Sequence, residues 1–455
     1  MSKDIAKNDV QRGLKNRHIQ MIALGGAIGT GLFYGSATVV KMAGPAITLS
    51  YLIGGIIIFF IMRALGEMAV DNPVSGSFSH YAYKFWGDLP GFIAGWNYWI
   101  NYVIVGMAEL SVVGTYINYW LPDIPTWISA LVCLVVITLI NIINVKIYGE
   151  FEFFFSIIKV LAIIGMIIFG LAMILFGIGN AGQPVGFSNL WSHGGFLPNG
   201  IEGVIMSLVL VMFSFGGVEL VGITAGEAKN PQKTIPQAIN QVVWRILLFY
   251  IGAIGVIVSI FPWSEIEATG SPFVQIFSHV GIPSAANLLN FVVLTAALSA
   301  YNSALYSNGR MLYGLAKQGN APKFFGKLNS AGTPVNAILV STIFTLLVVL
   351  ISYLNPEKVF MYLMALATIA IIINWAIILI VQLKFRKHKE KESKSLSFKM
   401  PLYPFTSYIS LAFLAVVVVI MSLMPDLRFS LYLAPIWLLC LYIGHKIKAK
   451  TNTQP

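Results

Sequence analysis

Long apolar runs separated by short polar connections fill the chain from residue 19 to residue 445. A helix needs about 20 mostly apolar residues to cross a bilayer. Twelve runs of that kind predict twelve membrane-spanning helices, near 19–40, 46–66, 91–118, 127–144, 153–176, 201–225, 242–262, 285–313, 336–354, 359–382, 405–424 and 429–445. They are numbered spans 1 to 12 in that order. The connections 177–200 and 262–284 are the longest on one side, and their Gly, Pro, Asn and Ser residues read as turns.

Two runs are interrupted. Span 1 carries four glycines within Gly25–Gly31, and span 6 carries Phe213-Ser214-Phe215-Gly216-Gly217. Glycine weakens a helix by about 1 kcal/mol relative to alanine. Backbone that leaves the helix inside a membrane survives only within protein or beside a water-filled cavity. The two breaks stand five spans apart. An odd number of spans inverts a second copy relative to the first, and paired broken helices at matching positions point to a central transport site. Freed N–H groups suit a carboxylate and freed carbonyls suit an ammonium. A ligand that offers both is an α-amino acid.

Composition strengthens the membrane reading. Of 455 residues, 57% are hydrophobic and only 10% charged, against roughly 25% charged in a soluble domain. The net charge of +11 does not indicate nucleic-acid binding, because the basic residues lie between apolar runs and not on one face. Counted by side, 26 of the 29 Lys and Arg residues fall with the termini. The positive-inside rule then predicts both termini in the cytoplasm. The N-terminal segment reads as a basic tail with no cleavage signal. Cys133 and Cys440 lie inside apolar runs and suggest neither a disulfide nor a metal site.

Ionisable residues inside a membrane are costly and mark functional candidates. Lys159, one or two turns into predicted span 5, can occupy a cation site or titrate. Glu219 follows the span 6 break and can pair with a cation or accept a proton. Glu109, in the middle of span 3, can face substrate or bundle. Glu67, at the inner end of span 2, reads as structural. Phe213 and Phe215 flank the break and either can cover a bound ligand. The histidines at 18, 80, 193, 279, 388 and 445 fall in predicted tails or loops, which argues against an intramembrane catalytic set. No phosphate-binding Gly-Lys-Ser/Thr loop for ATP occurs either.

The stretches RGLKNRHIQMIALGGAIGTGLF (12–33), AGP (43–45), MRALGEM (62–68), SGSFSHYA (75–82), GWNYW (95–99), YGEFEFFFSIIKV (148–160), GGVELVGITAGEAKNPQKTIPQAI (216–239) and SAYNSALYSNGRMLYGLA (299–316) are recognisable. On them the chain resembles the bacterial amino acid transporter family of the amino acid–polyamine–organocation superfamily. It looks most like the proline, threonine/serine and aromatic amino acid permeases. The resemblance implies an all-α fold, a five-plus-five inverted repeat with two further C-terminal helices. The expected parts are a cytoplasmic tail 1–18, a first repeat 19–176, an outer loop 177–200 and a second repeat 201–383. A basic cytoplasmic loop 384–404, spans 11 and 12 within 405–445, and a tail 446–455 complete the chain. It also implies a substrate carboxylate held by N–H groups near Gly29, Thr30 and Gly31, within the site segment Ala27–Gly31 that includes Ile28. The amine falls to carbonyls near Ala27, Phe213 and Gly216. Phe213 matches an aromatic gate, with Phe215 beside it. Lys159 matches a span 5 lysine that stands near a sodium site in sodium-coupled relatives, which implies proton coupling, with Glu219 as the other coupling candidate.

The expectation is therefore a permease importing a neutral L-amino acid, with proline, threonine or serine favoured, by proton symport and without a cofactor. Its partners are a small amino acid and the lipid bilayer. The sequence leaves the oligomeric state open. An exchanger with the same site is the near alternative, and a non-transporting amino acid sensor a more distant one.

Overall fold

A computed structural model describes residues 28–74, 77–143, 145–224, 230–267, 270–279, 283–356, 358–392 and 395–451. Among them every regular element is helical. Ten stretches are long and apolar enough to cross a membrane. The first, Gly31–Asp71, turns at Gly44, whose φ of +59° only glycine adopts readily. A Cβ there would also meet the Pro198 ring. The stretch thus supplies two spans. Gly200–Ser214, shorter and also apolar, is the first half of span 6, which makes twelve.

Span 1 is described from its break onward, as a π-helical turn Gly31–Gly35 and a helix Ser36–Ala43. Span 2 is Ile47–Asp71, span 3 Asp88–Asn118, span 4 Thr126–Ile143 and span 5 Val145–Phe176. Span 6 resumes as Leu220–Thr224. Span 7 is Pro231–Ile260, span 8 Pro283–Lys317, span 9 Val335–Leu354 and span 10 Val359–Lys391. Phe405–Leu423 and Pro425–Thr451 complete the set.

Several helices outrun the apolar stretches that announced them. Span 5 starts at Val145, not near 153, and span 7 at Pro231, not near 242. Their first turns carry Glu150, Glu152, Gln232 and Lys233. Such residues are adequate helix formers that hydropathy discounts, and Pro231 sits at a first helical turn, where its missing N–H costs nothing. Helices Ser77–Phe85 and Pro272–His279 were not anticipated. The first carries His80, the second ends on His279, and His388 and His445 also lie on helices, so the expectation that the histidines occupy tails or loops is corrected for these four.

Burial sorts the helices into an inner and an outer set. In spans 8 and 10, 78% of the apolar window is buried, against 17% in span 12. Spans 8 and 10 both pack along span 3. Outward faces are apolar as well, with Leu139, Phe154, Leu161, Ile168, Ile343 and Leu350 exposed. An apolar sheath around a buried polar interior is what a lipid solvent selects. The interior carries Glu67, Glu109, Glu152, Lys159, Glu219 and Arg245, all nearly inaccessible.

Candidate functional site

The expected break in span 6 exists, and the described residues of the expected span 1 break begin at Ile28. Ile28 and Gly29 are not helical, and the Gly29 carbonyl accepts from the N–H groups of Leu32 and Phe33, each at 3.2 Å. Span 6 is helical through Ser214 and irregular over 215–219, two residues later than the sequence suggested. Gly217 has φ +95°, a conformation that favours glycine.

The breaks lie against each other. A Cβ on Gly31 would stand 2.6 Å from Ser214 Cα, so glycine is what lets the two backbones touch. Ser214 Oγ donates to the Gly31 carbonyl at 2.9 Å, and the Ser214 carbonyl accepts from Tyr250 of span 7 at 2.8 Å.

A cavity opens beside this contact. Gly29, Gly31, Phe213, Gly216 and Glu109 line one part of it, and Val105, Ala300, Ala367 and Ile371 line an apolar part. Spans 1, 3, 6, 8 and 10 all contribute. Glu109 reaches from span 3 to the span 1 break, where both its oxygens accept from the Thr30 N–H, at 3.3 and 3.2 Å. A Cβ on Gly29 would sit 2.6 Å from Glu109 Oε1, so Gly29 makes room for the carboxylate. A carboxyl group therefore already occupies the N–H donor at which the resemblance placed a substrate carboxylate.

Lys159 is deeper than expected. It follows the start of span 5 by 14 residues, about 21 Å at helical rise, and it is 0% exposed. That depth rules out snorkelling to a surface. Its ammonium donates to the Ile28 carbonyl at 3.3 Å and to Ser299 Oγ of span 8 at 2.9 Å. Ser299 Oγ donates in turn to Glu152 Oε1 at 2.6 Å. Asn302 donates to the other Glu152 oxygen at 3.4 Å, and Asn141 of span 4 donates to Asn302 at 2.7 Å. A buried charge needs such company. Glu152 and Ser299 are the partners that sequence reading missed. Glu152 precedes the predicted start of span 5 and read as loop. Its spacing of seven from Lys159, two helical turns, was the available signal.

Glu219 is fully buried at the end of the span 6 break and accepts from Tyr102 of span 3 at 2.7 Å. Tyr102 also lines the cavity, together with Asn101 and Ser303; neither Asn101 nor Tyr102 was singled out. Phe213 faces the cavity, whereas Phe215 does not. The Phe215 ring packs between Tyr51 of span 2 and Tyr250 of span 7, with centroids at 5.9 and 4.9 Å. Two positions apart at a helix end put the rings on different faces. Ile28 contributes its carbonyl to Lys159, and Ala27 lies outside the described residues. Glu67 stands apart from the site. It accepts twice from Arg386, at 2.5 and 2.7 Å, and from the Met400 N–H at 2.6 Å. Among the described residues no three His, Cys, Asp or Glu side chains gather as a metal site would require.

Comparison with known proteins bears on this arrangement. Residues 18–454 match the family model described as amino acid permease. The chain is 57% identical over 442 residues to the aromatic amino acid transport protein AroP of Escherichia coli (strain K12), covering 97% of this chain and 96% of that protein. It is 54% identical to AroP of Salmonella typhimurium (strain LT2) over the same shares. It is 53% identical over 455 residues to the uncharacterized amino acid permease YtnA of Bacillus subtilis (strain 168), covering 98% of each. Broken spans 1 and 6, a cavity where they meet and a match over nearly the whole length agree: the chain is a multi-pass membrane protein of the amino acid permease family.

Proposed function

We propose that this permease imports an aromatic L-amino acid into the cell by proton symport, with both termini in the cytoplasm. The sequence favoured proline, threonine or serine; two relatives named for aromatic amino acid transport, at 57% and 54% identity, move the choice. The apolar part of the cavity supports it. Ala300 and Ala367 are small, and Val105 and Ile371 offer hydrocarbon to a ring. The distribution of Lys and Arg supports the orientation.

The observation that carries the mechanism is Glu109 on the Thr30 N–H. A substrate carboxylate directed to Gly29, Thr30 and Gly31 meets the Glu109 carboxyl group there. Two carboxylates at one donor repel unless one holds a proton. Substrate entry therefore requires Glu109 to hold a proton or swing away, and in the proposed symport it holds the proton. The substrate amine turns to the carbonyls at the span 6 break, those of Gly216 and of Phe213, which also accepts from the Gly216 N–H at 2.9 Å, and the Phe213 ring covers the ligand. Lys159, through Ser299 and Glu152, ties span 1 to spans 5 and 8. Glu219, through Tyr102, ties span 6 to span 3. A proton gained or lost at either link alters a bond between parts that rock against each other. Coupling requires that difference between states.

Uptake of twenty labelled amino acids in a host lacking its own aromatic uptake tests the substrate. Saturable uptake of phenylalanine, tyrosine or tryptophan is expected. Uptake confined to proline, threonine or serine overturns the aromatic assignment.

A further inference from the structure

The polar side chains that line the cavity are Asn101, Tyr102, Glu109, Ser214 and Ser303. Four are occupied. Tyr102 donates to Glu219, Glu109 accepts from Thr30, Ser214 donates to Gly31, and Ser303 meets the Tyr148 hydroxyl at 3.3 Å. Asn101 is different. It is 0% exposed, and neither its amide nitrogen nor its amide oxygen has a partner among the described residues. Buried polar groups are otherwise nearly always satisfied. An amide offers two donors and an acceptor with two lone pairs, so this one presents both kinds of group to the cavity with none engaged.

Its position fits a specific role. Asn101, Val105 and Glu109 stand four apart on span 3, and all three line the cavity. That spacing makes one stripe along the helix. Asn101 lies about 12 Å along the axis from Glu109 by helical rise. Glu109 marks the end that reads the amino acid's backbone groups. Val105 lies between and is apolar. A side chain that runs along the stripe meets hydrocarbon first and an unsatisfied amide last.

We propose that Asn101 reads a hydrogen-bonding atom at the far edge of the substrate's ring, so that the site selects phenolic or indole side chains over bare phenyl. This rests on the aromatic reading above and sharpens it. The phenol O–H and the indole N–H each donate, and the Asn101 carbonyl oxygen accepts. The amide N–H₂ remains free to donate to a phenol oxygen. A ring without such an atom leaves the amide dry and unpaired, which is the condition under which a site discriminates most strongly against an analogue.

The test uses the full-length protein in proteoliposomes, with labelled phenylalanine as reporter and unlabelled competitors. Tyrosine is compared with 4-methylphenylalanine, which has nearly the same shape and no hydrogen bond to offer. In the unchanged protein tyrosine should compete roughly tenfold better. In Asn101→Leu that ratio should collapse towards one, and tryptophan should lose ground to phenylalanine in parallel. Equal competition by tyrosine and 4-methylphenylalanine in the unchanged protein overturns the proposal without any variant. So does a ratio that survives in Asn101→Leu, which would leave the amide satisfied by water alone. If no aromatic compound competes at all, the aromatic reading itself fails, an outcome distinct from both.

Discussion

Lys159 is fully buried and depends on Ser299, Glu152 and the Ile28 carbonyl for company. Replacing it by glutamine keeps an N–H donor on a slightly shorter side chain while removing the charge. Lys159→Gln should still exchange labelled for unlabelled substrate but should no longer concentrate it under a proton gradient. A variant that accumulates substrate as the parent does would remove Lys159 from coupling. At this scale the sequence was partly legible. Lys159, Glu109 and Glu219 stood out because a charge inside an apolar run is conspicuous. Glu152 did not, because the apolar run began after it. Phe213 and Phe215 were indistinguishable, since which face a residue takes at the end of a helix depends on where that helix stops. Asn101 gave no signal either, because an uncharged amide in a tyrosine- and tryptophan-rich helix resembles ordinary interfacial composition.

The elements are held by two kinds of contact, and each has its own consequence. Spans 1 and 6 touch backbone to backbone at Gly31 and Ser214. Gly31→Ala puts a methyl group against the Ser214 backbone, which no flexible side chain can relieve. Uptake should fall by at least about tenfold, roughly the 1.4 kcal/mol that a small misfit at a packed contact exceeds, while the amount of protein in the membrane is retained. Normal uptake by Gly31→Ala would show that the contact is not needed. The second kind is Glu67, whose carboxylate clamps Arg386 of span 10 and the Met400 N–H beyond it onto span 2. Breaking a buried ion pair from one side costs about 3 kcal/mol. Glu67→Ala should therefore lower the melting temperature of the purified protein and reduce uptake in proportion to the folded fraction. Unchanged melting would contradict the clamp. The breaks and the number of helices were readable because glycine clusters and apolar length are local properties. The true starts of spans 5 and 7 were not, since amphipathic first turns such as Pro231-Gln232-Lys233 carry little hydropathy. The clamp joins residues 319 apart, and no local pattern announces such a pair.

For the whole molecule, an apolar sheath surrounds a polar interior, and that interior is organised around one cavity where the two breaks meet. The same architecture serves symport and exchange. What separates them is whether a proton must move with the substrate, and the proposed symport gives that role to Glu109 on the Thr30 N–H. Proteoliposomes loaded at alkaline pH and diluted into acidic buffer with labelled phenylalanine measure this directly. Proton symport predicts accumulation above the external concentration, collapse on adding a protonophore, and loss of gradient-driven accumulation in Glu109→Gln. Labelled substrate that only equilibrates, whichever way the pH gradient runs, would contradict it and leave a proton-independent exchanger.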